Sequence, residues 1–134
     1  MTFKKLFRHD VKPTDGLTQP EREAIVDILN YCMFADKLIA LSEDAMIESV
    51  ATTLNWDPKI SFDYYEGKSI GAVRRAIGEK EFRTEFMESL RTRLVKPENR
   101  KLALSLADNL TMADGVKAPE EFRALVELKT ALDS

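Results

Sequence analysis

The sequence predicts an all-α fold, a helical bundle of about six or seven helices. Apolar residues recur at spacings of three and four in six separate segments. No stretch alternates apolar and polar residues for long enough to read as a strand. Cap residues, prolines and glycines fall between the periodic segments, where helices start and stop. The chain has 134 residues, the size of one domain.

Residues 1–17 form an N-terminal extension, in which Phe3, Leu6 and Phe7 suit a short leading helix. Thr18-Gln19-Pro20-Glu21 is a helix start, with Thr18 and Glu21 arranged as a capping box and Pro20 in the first turn. Ala24, Ile25, Ile28, Leu29, Cys32 and Met33 then make one apolar face, and the helix is expected to end near Ala35-Asp36. Ser42 is expected to cap a second helix, with Glu43 and Asp44 in its first turn and Met46, Ile47, Val50, Ala51 and Leu54 on its inner stripe. Asn55 and Asp57-Pro58 close it. These segments make a first hairpin over residues 18–56.

Middle helices are predicted over residues 61–95. A short turn at Ser61–Tyr65 comes first, then a helix capped by Ser69 and ended by Gly78, then one from about Lys80 with Phe82, Phe86, Leu90 and Leu94 at a spacing of four. The second hairpin covers residues 97–133. Pro97 opens its first helix, with Leu102, Ala103, Leu106, Ala107 and Leu110 inside. Pro119 opens its second, with Phe122, Leu125, Leu128 and Leu132 expected to point inward.

Composition narrows the function. The chain is 44% hydrophobic and 32% charged, with 5 Gly and 5 Pro, which excludes disordered and collagen-like classes. No apolar run approaches the roughly 20 residues that cross a bilayer. The first residues lack the apolar core of a signal peptide, so a cytoplasmic location is expected. The lone Cys32 has no disulfide partner and reads as an inert core thiol. His9 is the single histidine, which removes chemistry built on several histidines.

The net charge of -3 hides an uneven distribution. Residues 13–65 carry ten acids against three bases, residues 66–101 ten bases against six acids, and residues 102–134 six acids against three bases. The basic middle contains Arg74, Arg75, Lys80, Arg83, Arg91, Arg93, Lys96, Arg100 and Lys101. Its aromatics fall on the core stripe and its acids dilute the charge, so no nucleic acid is expected as a partner. Phe3, Leu6 and Phe7 beside Lys4, Lys5 and Arg8 allow at most a peripheral membrane contact through residues 1–12.

A shift of 78 residues aligns the two hairpins without a gap. Ala35-Asp36 falls on Ala113-Asp114 and Glu43 on Glu121. Ile47, Val50 and Leu54 fall on Leu125, Leu128 and Leu132, and Ile25, Val26, Ile28 and Leu29 on Ala103, Leu104, Leu106 and Ala107. The two hairpins are therefore expected to pack about a pseudo-twofold axis, with the middle helices around them.

Within the second copy, Met112-Ala113-Asp114-Gly115-Val116-Lys117-Ala118-Pro119-Glu120-Glu121-Phe122 resembles the Ala-Asp-Gly…Glu-Glu loop of TerB-like domains, the tellurite-resistance family. That fold is shared with the N-terminal region of membrane-anchored DnaJ-type co-chaperones. Met33-Phe34-Ala35-Asp36-Lys37-Leu38-Ile39-Ala40-Leu41-Ser42-Glu43 looks like the family's first copy, although Lys37 stands where Gly is usual and the loop is more apolar. No His-Pro-Asp tripeptide is present, so the chain is not itself a J-domain. The resemblance spans roughly residues 20–56 and 98–132. It implies a non-enzymatic binding or scaffold module of bacterial stress response, with an acidic surface and a protein partner.

Asp36, Glu43, Asp114, Glu120 and Glu121 are the candidate metal ligands, as carboxylates from two loops supply the oxygen atoms that Ca2+ or Mg2+ take. The same residues also serve locally, as loop-stabilising aspartates and as glutamates at helix N-termini. Asp44, Asp108, Trp56, Tyr64 and Tyr65 are candidate partner-binding residues. The aromatics read either as an exposed patch or as a satellite core beneath the connection to the third helix. Two alternatives come from other classes: a metal-dependent enzyme using the acidic cluster, and a purely structural dimerisation domain, a homodimer.

Overall fold

The computed structural model describes residues 17–34, 41–111 and 119–133, with side chains throughout except at 41–44. All regular structure among them is helical. The order is α1 (Gln19–Met33), α2 (Leu41–Thr53), α3 (Phe62–Gly78), α4 (Lys80–Arg93), α5 (Pro97–Thr111) and α6 (Pro119–Leu132).

The helix α1 starts as its sequence dictates. The Glu21 N–H donates to Thr18 Oγ1 at 3.4 Å and the Thr18 N–H to Glu21 Oε1 at 2.8 Å, completing the capping box. Burial opposes ionisation of Glu21. Bonds from the Thr18 backbone and hydroxyl and from Asn99, with the charge of Lys96, outweigh it and hold the carboxyl below its usual range. From Ala24 to Met33 every residue is buried, where one apolar face was expected. The reason is position: α1 packs against all five other helices and is the axle of the bundle. Its apolar positions join Ile47, Val50, Leu54, Val73, Phe86, Leu90, Leu94, Leu106 and Leu128 in one core.

The α2 helix buries the predicted stripe, Ile47, Val50, Ala51 and Leu54, with Met46 half-buried. Asn55 stops it with a φ of 65°. Trp56 N–H returns to Ala51 O at 3.1 Å and Asn55 N–H to Thr52 O at 3.0 Å, a left-handed terminus that asparagine tolerates.

The separate turn and the helix start at Ser69 merge into one helix in the structure. Ser61 caps α3 by accepting the Tyr64 N–H at 3.2 Å, and Ser69 lies in the helix interior, 2% exposed. Gly67 does not break it, since a mid-helix glycine costs only about 1 kcal/mol. Of the α4 stripe, Phe86 and Leu90 are buried, Leu94 is buried just past the helix end and Phe82 is half-buried, and Phe86 stacks on Tyr31 at 5.5 Å.

The two hairpins keep their relation in the fold. Asn99 Nδ2 donates to Glu21 Oε2 at 2.6 Å, and these residues are 78 apart, the offset of the repeat. Contact between matched positions is what an axis passing between α1 and α5 produces. Arg22 and Arg100 are a second matched pair. Arg22 Nε donates to Leu54 O at 2.7 Å, and Arg100 Nη1 donates to Leu132 O at 2.6 Å. Each arginine thus closes the carbonyl end of its own hairpin's second helix, where unsatisfied C=O groups collect.

Phe122 departs from expectation. Ala124, Leu128 and Leu132 form the buried line of α6, while Phe122 is 60% exposed, Val126 49% exposed and Leu125 only half-buried. The core side of α6 follows 124–128–132, which rotates Phe122 and Val126 outward.

Candidate functional site

That rotation opens the surface between α5 and α6. A groove of about 900 Å³ runs between α5 and α6, lined among others by Leu104, Leu125, Leu132, Phe122 and Val126. Arg100, Lys101, Lys129 and Asp133 lie at the end where α5 begins and α6 finishes, and Asp108 lies at the opposite end. Arg100 is committed inward, to the carbonyls of Leu94, Leu132 and Arg91. Lys101, Lys129 and Asp133 therefore set the charge of that end. An apolar floor with charged residues at both ends is suited to an amphipathic helix.

A smaller pocket of about 190 Å³ is lined by Tyr31, Ile77, Arg83, Glu120, Arg123, Ala124 and Glu127. The Tyr31 hydroxyl donates to Glu127 Oε1 at 3.4 Å. Burial, then the neighbouring Glu127 charge, pushes its ionisation up to about 12. Arg83 is turned toward the end of α3, donating to Ala76 O and Ile77 O at 2.8 Å.

Between α1, α3 and α4 lies a buried polar network. Arg93 Nη2 donates to Asp27 Oδ2 at 2.7 Å, Ser69 Oγ donates to Asp27 Oδ1 at 2.6 Å, and the Tyr65 hydroxyl sits 2.9 Å from both oxygens. Asn30 Nδ2 donates to Glu66 Oε1 at 2.6 Å and to Ser69 Oγ at 3.0 Å. Asp27, Asn30, Glu66 and Ser69 are all buried. Burial, followed by the Asp27 charge, raises the Tyr65 hydroxyl well above its ordinary range. Burial alone would lower the Arg93 guanidinium, but the Asp27 carboxylate more than reverses it. Neither the groove nor the smaller pocket is lined by these residues. The network's evident work is to lock α3 and α4 onto the axle helix.

No protein-family model, curated protein or solved structure matches this chain.

The residues singled out in the sequence distribute as follows. Asp36 and Asp114 lie outside the described residues. Glu43 and Asp44 fall in the first turn of α2, and nothing is described of their side chains. Glu121 is half-buried in the first turn of α6. Glu120 lines the smaller pocket with Arg83, Arg123 and Glu127. Among the described residues no three His, Cys, Asp or Glu side chains come together in a metal-holding group. Asp108 is exposed in the groove.

Trp56 and Tyr65 are packed: the indole N–H donates to Ile60 O at 2.8 Å and its ring meets Phe62 at 5.3 Å and Tyr65 at 5.6 Å. Tyr64 is 69% exposed, with the Lys68 ammonium 5.7 Å from its ring centre. The basic middle is largely spent within the fold. Arg93 binds Asp27, Arg83 and Arg100 cap helix ends, and Arg75 lies 4.2 Å from the Phe82 ring centre while pairing with Glu79.

The groove and the network were both missed in the sequence. One available signal was the run from Ala24 to Met33, where Asp27 is the only charge among ten residues. A solitary acid in so apolar a helix needs a partner, and the bases of residues 66–101 supply it.

Proposed function

We propose that this chain is a TerB-like, non-enzymatic binding module of bacterial stress response that acts in the cytoplasm. Its α5–α6 groove takes a helical segment of a protein partner. The observation that carries the reading is the exposure of Phe122 and Val126 at a groove of about 900 Å³. Large apolar side chains clustered at a concave surface mark interaction sites. The resemblance of the two loops to the tellurite-resistance family supplies the biological setting. Affinity capture with wild type and with Phe122→Glu tests the reading, with circular dichroism as a control on folding. Proteins retained by wild type and lost by the folded variant support it. Identical retention by both overturns the groove as the site.

The cation reading rests on the acidic loops, because among the described residues no three His, Cys, Asp or Glu side chains come together. Ca2+ is proposed to bind through Asp36 and Asp114 with Glu43, Glu120 and Glu121. Titration calorimetry on wild type and Asp114→Ala decides it. Heat that disappears in the variant supports the reading, and no heat in wild type removes it.

A further inference from the structure

The chain enters each half of the fold in the same way. Arg100 Nε donates to Leu94 O, at the residue where α4 ends, and Arg22 Nη2 donates to Leu17 O at 2.8 Å. Both leucines are buried. Leu17 therefore stands ahead of α1 as Leu94 stands ahead of α5. The sequence before it matches as well. Phe3-Lys4, Phe7 and Val11 repeat the spacing of Phe82-Arg83, Phe86 and Leu90, the apolar stripe of α4. Leu6 adds an apolar position, so Phe3, Leu6 and Phe7 share one face at helical spacing. Residues 1–16 themselves lie outside the described residues.

The α4 stripe is seated by α1, α3 and α6. The α5 helix packs chiefly on α1 and α6. The apolar surface it presents is its groove with α6, where Leu104 and Leu125 lie with the exposed Phe122 and Val126.

Reach and size say what covers that groove. The bond of Asn99 to Glu21 at 2.6 Å holds the starts of α1 and α5 together. Leu17 thus lies at the end of α5 where Pro97, Arg100 and Lys101 line the groove. Passing round α5 to reach the groove crosses one helix diameter, about 10–12 Å. The stretch from Phe7 to Leu17 spans up to about 33 Å when extended. From Pro97 to Asp108 the groove measures about 16 Å along α5, the length of a helix of about eleven residues. So small a face gives weak affinity between separate molecules. A segment tethered at Leu17 acts at an effective concentration of about millimolar, so weak affinity is enough. We infer that Phe3, Leu6 and Phe7 of the N-terminal segment seat in the α5–α6 groove of their own chain, and that a protein partner reaches the groove by displacing them. This rests on the reading of the groove as a partner site and adds its regulation.

Paramagnetic relaxation in the full chain tests the inference. A nitroxide is attached at Lys5→Cys, which leaves the apolar stripe intact, and the buried Cys32 stays unlabelled. The amides of Phe122 and Val126, toward the end of the groove remote from Leu17, are expected to broaden. Phe122→Glu and Phe3→Asp/Phe7→Asp should each abolish that broadening. Partner capture by Phe3→Asp/Phe7→Asp should rise at least about threefold, since the groove has lost its competitor. Circular dichroism checks that every variant folds. Unbroadened Phe122 and Val126 amides overturn the inference, as does broadening that survives Phe122→Glu. So does capture that is lost in Phe122→Glu yet does not rise in Phe3→Asp/Phe7→Asp. Unbroadened amides with capture lost in Phe122→Glu leave the groove as a partner site and remove only the seated segment. Broadened amides with capture indifferent to Phe122→Glu keep the seated segment and remove the partner reading and the displacement with it.

Discussion

Replacing Arg93 with methionine isolates the energetic core of the polar network. Methionine keeps the apolar stem and removes the guanidinium, leaving the Asp27 carboxylate with Tyr65 and Ser69 alone. The Asp27 side chain is 7% exposed and that of Arg93 22% exposed, so the pair is shielded on one side and partly open on the other. Removing one partner of a fully buried pair costs about 3–5 kcal/mol. Partial access of Arg93 to water reduces the expected loss to about 2–3 kcal/mol. Urea unfolding followed by circular dichroism should show a midpoint lower by about 1–2 M, with unchanged slope. Asp27→Asn removes the charge from the other side, and the double variant should be more stable than the sum of the single losses implies, by about 1–2 kcal/mol. A midpoint shift under about 0.3 M, or strict additivity in the double variant, would refute the claim that this ion pair fastens α4 to the axle helix.

Three further expectations concern the caps and the titrating groups. Arg100→Met and Arg22→Met remove matched caps, so each should lower stability by about 1–3 kcal/mol, read by urea unfolding. Tyr31 ionises higher in the fold than its ordinary value of 10.0, at about 12, so its contribution is complete below pH 10 and is lost as pH rises through 12. Tyr31→Phe should flatten that alkaline decline and remove an ionisation near pH 12 from the absorbance titration at about 295 nm. Glu21 is held below its ordinary 4.5, so its contribution is present above pH 4.5 and is lost as pH falls through the folded value. Glu21→Gln should flatten the acid side of the stability profile, measured by thermal melting across pH.

The helices were legible because periodicity and caps are local properties. Thr18, Pro20 and Asn55 act where the sequence placed them, and the stripes of α2, α4 and α5 are the buried ones. What failed was the assignment of outward faces. The apolar face read for α1 leaves out Asp27 and Asn30, yet α1 has no solvent side over those turns. Phe122 read as core because it shares spacing with Leu125, and only the packing of α6 shows which of two neighbouring rows is covered. Ser69 read as a cap because serine favours caps, and its bond to Asp27 depends on a helix 42 positions away. The functional residues turn on such long-range choices. The repeat was readable, but not that α3 covers Asp27 and Asn30 of α1 while the matched Ser105 and Asp108 of α5 border a groove.

The central place of α1 also governs how the chain is made. Within these residues α1 leaves the ribosome before every helix it packs on, and α6 follows it by more than eighty residues. At about 5–20 residues per second, roughly 5–20 s pass before the last neighbour exists. Throughout that interval a helix built to be covered on all sides lacks part of its cover, and for the first sixty residues of it Asp27 also lacks Arg93. The cover of α1 is therefore completed only when synthesis has passed residue 132, so the packing that buries it on every side closes last.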